Sequence, residues 1–188
     1  MELLLASKSP RRRQLITALD IPTSFIDIAA DETISGDIDV SKAAETIAIR
    51  KADAYPASNL LDHQLLITAD TIVAINNKQL GKPSNPESAT QMLRLLSGKT
   101  HVVYTGVCLK SKTCQKHFTE STYVTFRTLT DNEINYYVNH YKPFDKAGSY
   151  GIQEWVGMVG ITSIQGDYYN VMGLPTARLY QEIMSWEL

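Results

Sequence analysis

The stretch from Thr68 to Pro83, TADTIVAINNKQLGKP, constrains the fold more than any other part of the chain. Leu65, Leu66 and Ile67 before Asp70, and Ile72, Val73 and Ile75 after it, put β-forming residues on both faces, the pattern of a mostly buried strand. Asp70 interrupts that run between Ala69 and Thr71, and a carboxylate inside a buried strand is costly without a partner. Asn76 and Asn77 supply turn chemistry, Gln79 and Leu80 return antiparallel, and Gly81-Lys82-Pro83 closes the hairpin with a cation that could come back near Asp70. Taken alone, Asp70 and Lys82 read as a turn acid and a solvated lysine; the rival reading is a working pair of charges.

A chain of 188 residues and 21.0 kDa suits one domain, or two closely packed lobes, and can bury a substantial core. With a formal net charge of −2 and a pI near 6.1, it lacks the basic footprint of a protein that coats nucleic acid, so any anion site must be local. The apolar run Leu3 to Ala6 is far too short for a signal segment or a membrane span, and a cytoplasmic protein is expected. Cys108 and Cys114 flank a polar turn and read as free thiols, and the four histidines match no zinc spacing.

In chain order, Glu2 to Ala6 predicts a strand, and Ser7-Lys8-Ser9-Pro10 starts a helix with Ser9 as N-cap and Pro10 at the first position. Arg11, Arg12 and Arg13 then crowd the first turn, where the macrodipole disfavours cations and a bound phosphate would relieve the repulsion. Arg13 is read as solvated and Arg12 as a phosphate contact. Phe25, Ile26 and Ile28 suggest a second strand, followed by an acidic loop holding Asp31 and Glu32 among Thr, Ser and Gly. A helix is expected over 41–54, with Val40, Ala44, Ile47 and Ala54 on one apolar stripe and Lys51 in the middle of it. That lysine either snorkels or meets an anion.

Asn85-Pro86 and Thr130-Asp131-Asn132-Glu133 predict two further capped helices, and 100–110 with 115–128 a long hairpin. Asp145 to Gln153, DKAGSYGIQ, reads as a glycine-containing loop that lets backbone approach a ligand closely, Val156 to Ile164 as a strand, and Gly173-Leu174-Pro175 as the lead-in to a terminal helix. Neither a Walker A loop nor a dinucleotide-binding glycine fingerprint is present. Arg11, Arg12, Lys51 and Lys82 with Glu32 and Asp70 would, if they converged, suit a polyphosphate bound jointly with Mg²⁺ or Mn²⁺.

Over nearly its whole length the chain resembles the Maf family of nucleotide pyrophosphatases, through LLLASKSPRRRQLI, ADTIVAINNKQLGKP, SGKTHVVYTGV, VTFRTLTDNEI, DKAGSYGIQ and the late GLP. The resemblance implies a single domain over 1–188 with a mixed α/β fold like that of the inosine triphosphate pyrophosphatases, an elongated mixed sheet in two lobes with a cleft between them. It implies hydrolysis of nucleoside triphosphates to monophosphate and pyrophosphate with a divalent metal, and a homodimer in keeping with the family's habit. By motif, Asp70 corresponds to the catalytic proton acceptor; Ser7, Ser9, Arg11, Arg12, Lys51 and Lys82 would hold phosphates, and Glu32 would join Asp70 at the metal. The family's branches differ at three positions that here read Arg12, Thr71 and Gln153, a combination resembling the dTTP/UTP pyrophosphatase branch and not the 7-methyl-GTP branch. A glutamine amide offers a donor and an acceptor to a pyrimidine edge. Lys8 stands where the family often has glycine, which would matter if that position required positive φ. The rival function is a nucleotide-binding regulator of septum formation and cell division; the balanced charge argues against extended nucleic-acid binding.

Overall fold

The computed structural model describes residues 1–34 and 38–187, so Ser35 and Gly36 of the acidic loop lie outside the described residues. In chain order the elements are β1 (Glu2–Ala6), α1 (Pro10–Thr17), β2 (Thr23–Ile26), α2 (Val40–Asp53), β3 (Gln64–Ile75), β4 (Lys78–Leu80), α3 (Pro86–Leu96), β5 (Thr100–Lys110) and β6 (Gln115–Phe126). Then follow α4 (Asp131–Tyr141), α5 (Trp155–Gly160), β7 (Ile161–Gln165), α6 (Tyr168–Met172) and α7 (Thr176–Met184). The strands make a mixed sheet in the order β2-β1-β3-β5-β6-β7, with β4 paired to β3. β1 runs parallel to both β2 and β3, placing Leu5 opposite Phe25 and Ile67, whereas β4 and β7 pair antiparallel with β3 and β6. The mixed α/β class expected from the sequence is the class observed.

The chain divides into two compact units. The first comprises Met1–Thr71, Thr105–Glu120 and Gly173–Leu188. Its core packs Leu4, Ala6, Leu66 and Cys108 of the strands against Ala48 and Ala52 of α2 and against Leu60. Small residues on α2 allow the helix to come very close to the sheet. At Gly106 of β5 an added Cβ would lie 2.2 Å from the backbone nitrogen of Glu45, so only glycine permits this helix-on-strand contact. The buried face of α2 comprises Ala43, Ala44, Ile47, Ala48 and Ala52; Ala54, expected on that stripe, is instead the exposed C-cap residue.

The second unit comprises Ile72–Tyr104 and Ser121–Met172. Val73, Ile75, Leu93, Leu96, Phe126, Tyr137 and Tyr150 are among its buried residues. Helices α3 and α4 both begin on reciprocal capping boxes, Asn85 with Ser88 and Thr130 with Glu133, as the sequence predicts. The β3–β4 hairpin turns through Asn76 (φ 51) and Asn77 (φ 61), two left-handed residues that fit a two-residue turn between Ile75 and Lys78.

Two expectations about strand extent are also corrected. The segment 156–164 is not one strand: α5 covers Trp155–Gly160 and β7 begins only at Ile161. At Gly157 an added Cβ would fall 1.9 Å from the carbonyl oxygen of Ile152, and the close approach that glycine permits lets the segment coil back on its own preceding turn. The second strand ends at Ile26, so Ile28 packs from outside it. Among the described residues no helix is long and apolar enough to cross a membrane.

Candidate active site

The first unit gathers charge where β1, α1, α2 and β3 meet. β3 is buried along most of its length; within its interior only Asp70 and Thr71 are less than fully buried. Strand and helix periods explain the contact with α2. Thr68 donates its hydroxyl to the Ala48 carbonyl at 2.6 Å; two residues further along the strand and three along the helix, Asp70 meets Lys51. The Lys51 ammonium lies 2.9 Å from Asp70 Oδ1 and 2.7 Å from Glu32 Oε1. Its side chain is only 12% exposed, so the pair with Asp70 is desolvated, while Glu32 at 55% reaches in from solvent. Of the two readings of Lys51, the structure shows the anionic partner, and two of them.

Arg12 reaches the same region from the first turn of α1. Its Nε donates to the Gly173 carbonyl at 2.7 Å and its Nη2 to Thr71 Oγ1 at 2.9 Å, while Thr71 also shares a 2.9 Å hydrogen bond with Thr105. Burial lowers the guanidinium below its usual range, and the nearby Asp70 and Glu32 carboxylates oppose that shift. An arginine stays cationic under such a shift. Arg11 is close enough to Arg12 to disfavour its charge, which matches the crowding expected at this helix start.

Arg13 is not simply solvated. It donates to the Ser7 carbonyl at 2.8 Å, lies 5.1 Å over the Phe25 ring and 3.5 Å from Asp27, so it braces the loop. The oxygens of Ser7 and Ser9 accept backbone N–H groups from Ser9 and Arg12, at 3.2 and 3.4 Å. Lys8 is not among the residues at positive φ, so this loop does not require glycine there.

Lys82 and Gln153 belong to the second unit. Lys82 is exposed just after β4, and the preceding Gly81 carbonyl accepts the Gly148 N–H at 3.1 Å, tying that segment to the DKAGSYGIQ loop. Gln153 is exposed in a turn closed by a 3.0 Å hydrogen bond from the Glu154 N–H to the Gly151 carbonyl.

Sequence reasoning missed Thr105, the Gly173 carbonyl and the Tyr137–Lys146–Glu154 cluster. A threonine amid the apolar residues of β5 was a usable signal; the cluster depends on pairings that no local pattern encodes. Among the described residues no group of three or more His, Cys, Asp or Glu side chains could hold a metal ion. Glu32 and Asp70, sharing one ammonium, are a donor set suited to a hard cation that takes its other oxygens from phosphate and water.

A family model described as Maf-like protein matches residues 2–186. A protein named dTTP/UTP pyrophosphatase from Bacteroides thetaiotaomicron is 48% identical over 183 residues, 97% of this chain and 94% of that protein. One of the same name from Porphyromonas gingivalis is 46% identical over 186 residues, 97% of this chain and 92% of its own. Among solved structures, the Staphylococcus aureus Ham1 protein aligns with a TM-score of 0.47 and 17% identity over 67% of this chain and 72% of its own, too distant a likeness to bear on the argument.

Proposed function

The chain belongs to the Maf family, and from that premise we propose that it is a nucleoside triphosphate pyrophosphatase hydrolysing dTTP and UTP to the monophosphate and pyrophosphate. The observation that carries the reading is the meeting of Asp70 with Lys51 and Glu32 on one side and Arg12 with Thr71 on the other. Its relatives' names supply the substrates.

In the proposed reaction Asp70 accepts a proton from the water that attacks the α-phosphorus. The bond from that phosphorus to the oxygen bridging to the β-phosphate breaks, and pyrophosphate leaves with the electron pair. Lys51 pairs with both Asp70 and Glu32, and with Arg12 it offers cationic charge to the triphosphate; such preorganised charge is worth several kcal/mol. Ser7, Ser9 and Arg11 at the start of α1, and Lys82 after β4, are assigned to the phosphates by family motif, and Gln153 to the base. Glu32 and Asp70 would hold a divalent cation, Mg²⁺ or Mn²⁺, which when bound neutralises charge on the phosphates. Arg12, Thr71 and Gln153 are the proposed selectors of a pyrimidine.

Chromatographic product analysis with dTTP, UTP, 7-methyl-GTP and ITP in the presence of Mg²⁺ tests this reading. dTMP, UMP and pyrophosphate are expected. Orthophosphate as the product, or pyrophosphate mainly from ITP or 7-methyl-GTP, would overturn it.

A further inference from the structure

Gln153 is an exposed amide on a short turn, and an exposed amide discriminates between bases only if its backbone is held still. The turn runs from Gly151 to Glu154, and both of its ends converge on a single phenol oxygen. The Gly151 N–H donates to Tyr137 Oη at 3.0 Å, and the Tyr137 hydroxyl donates to Glu154 Oε2. The other carboxylate oxygen of Glu154 is 3.1 Å from Lys146 Nζ, which also lies 2.7 Å from Asp145. Lys146 is only 8% exposed, a buried ammonium compensated by those two carboxylates. Tyr137 is fully buried on α4 and stacks on Tyr141 with centroids 5.1 Å apart, so the anchor itself belongs to a rigid helix. Burial and the neighbouring Glu154 carboxylate push the phenol up from its ordinary range, which keeps it a donor.

The same loop carries backbone strain. Ser149 has a φ of 63 although it is not glycine and is completely buried. A residue held in that region persists only where its surroundings over-determine it. The network around Tyr137 supplies such constraint on the C-terminal side of Ser149, and the Gly148 to Gly81 hydrogen bond supplies it on the other.

We propose that Tyr137, with Glu154 and Lys146, is a positioning device that fixes the turn bearing Gln153 and thereby sets the preference for a pyrimidine base. This rests on the functional reading above. Tyr137 touches no substrate; it acts through Gln153. If its only role were to fill the core, phenylalanine would serve equally well.

The test is a double-mutant cycle of Tyr137→Phe and Gln153→Ala, read as kcat and KM for dTTP and dGTP, with thermal unfolding of each variant. Tyr137→Phe is expected to raise KM for dTTP about tenfold with kcat within about threefold, and to lower the dTTP over dGTP ratio of kcat/KM about tenfold. In the Gln153→Ala background the same change should alter that ratio less than about twofold, because the element it positions is gone. Unchanged selectivity in Tyr137→Phe, or an equal loss in both backgrounds, overturns the proposal. Should Tyr137→Phe fail to fold, Glu154→Gln, which keeps an oxygen facing the phenol and removes the charge facing Lys146, runs the same cycle under the same criteria. A wild-type protein inert towards both dTTP and UTP would instead overturn the functional reading on which the cycle depends.

Discussion

Asp70 illustrates how a single side chain is defined by its neighbours. Position alone made it an unfavourable carboxylate in a buried strand; the ammonium of Lys51 at 2.9 Å gives it a cationic partner. Asp70→Asn keeps the shape and removes the proposed proton acceptor. Its kcat for dTTP should fall by roughly 10²–10⁴ while calorimetric titration still detects nucleotide binding; undiminished turnover would exclude Asp70 as the base. His101 offers a second, independent case. It is buried, bonded through Nε2 to Tyr150 at 2.7 Å and stacked on Phe126, and burial pushes its pKa down to about 4. The unfolded chain binds that proton near pH 6.5 and the folded chain only near 4, so between those values the unfolded state holds more protons. Stability therefore falls as pH drops through that window, with a slope approaching about 1.4 kcal/mol per pH unit from this group. Urea unfolding of wild type and His101→Gln at pH 7 and pH 5 should show a smaller pH dependence in the variant.

Helix α2 shows the same logic for an element. It carries Lys51, and its position is set by alanines on its buried face and by the missing side chain of Gly106 beneath Glu45. Gly106→Ala would press a methyl group against the Glu45 backbone. It is expected to destabilise by about 1–3 kcal/mol, visible as a lower melting temperature, and to reduce turnover more than a surface substitution of equal thermal cost, because moving α2 moves Lys51 away from Asp70. Elements with local signatures were legible in the sequence: the Asn85 and Thr130 caps, the Asn76-Asn77 turn and the amphipathic α2 all announce themselves within a few residues. Residues 155–160 were not: the helix there brings Gly157 against the Ile152 carbonyl, a contact that periodicity does not record.

For the whole molecule, much of the candidate site was legible only because several motifs stand in order along one chain. Arg12, Lys51 and Asp70 come from separate elements, and hydropathy gave no reason to join them; Thr105, the Gly173 carbonyl and the Tyr137 network stayed hidden because their partners lie far away in sequence. The internal counter-ion at Lys51 carries a prediction of its own. Since Lys51 already gives both Glu32 and Asp70 a cationic partner within the protein, removing divalent cations with EDTA should abolish pyrophosphate release yet leave the melting temperature within about 2 °C; global unfolding on chelation would show that the fold itself depends on the ion.

The two compact units interleave along the chain, which passes from one to the other after Thr71, Tyr104, Glu120 and Met172. The first three of these crossings fall inside β3, β5 and β6. In genetic terms neither unit is a module: no single cut in the gene releases one of them whole, and no single recombination event exchanges one for a relative's. Variation in β3, β5 and β6 is therefore answerable to both units at once, since each of these strands contributes residues to both.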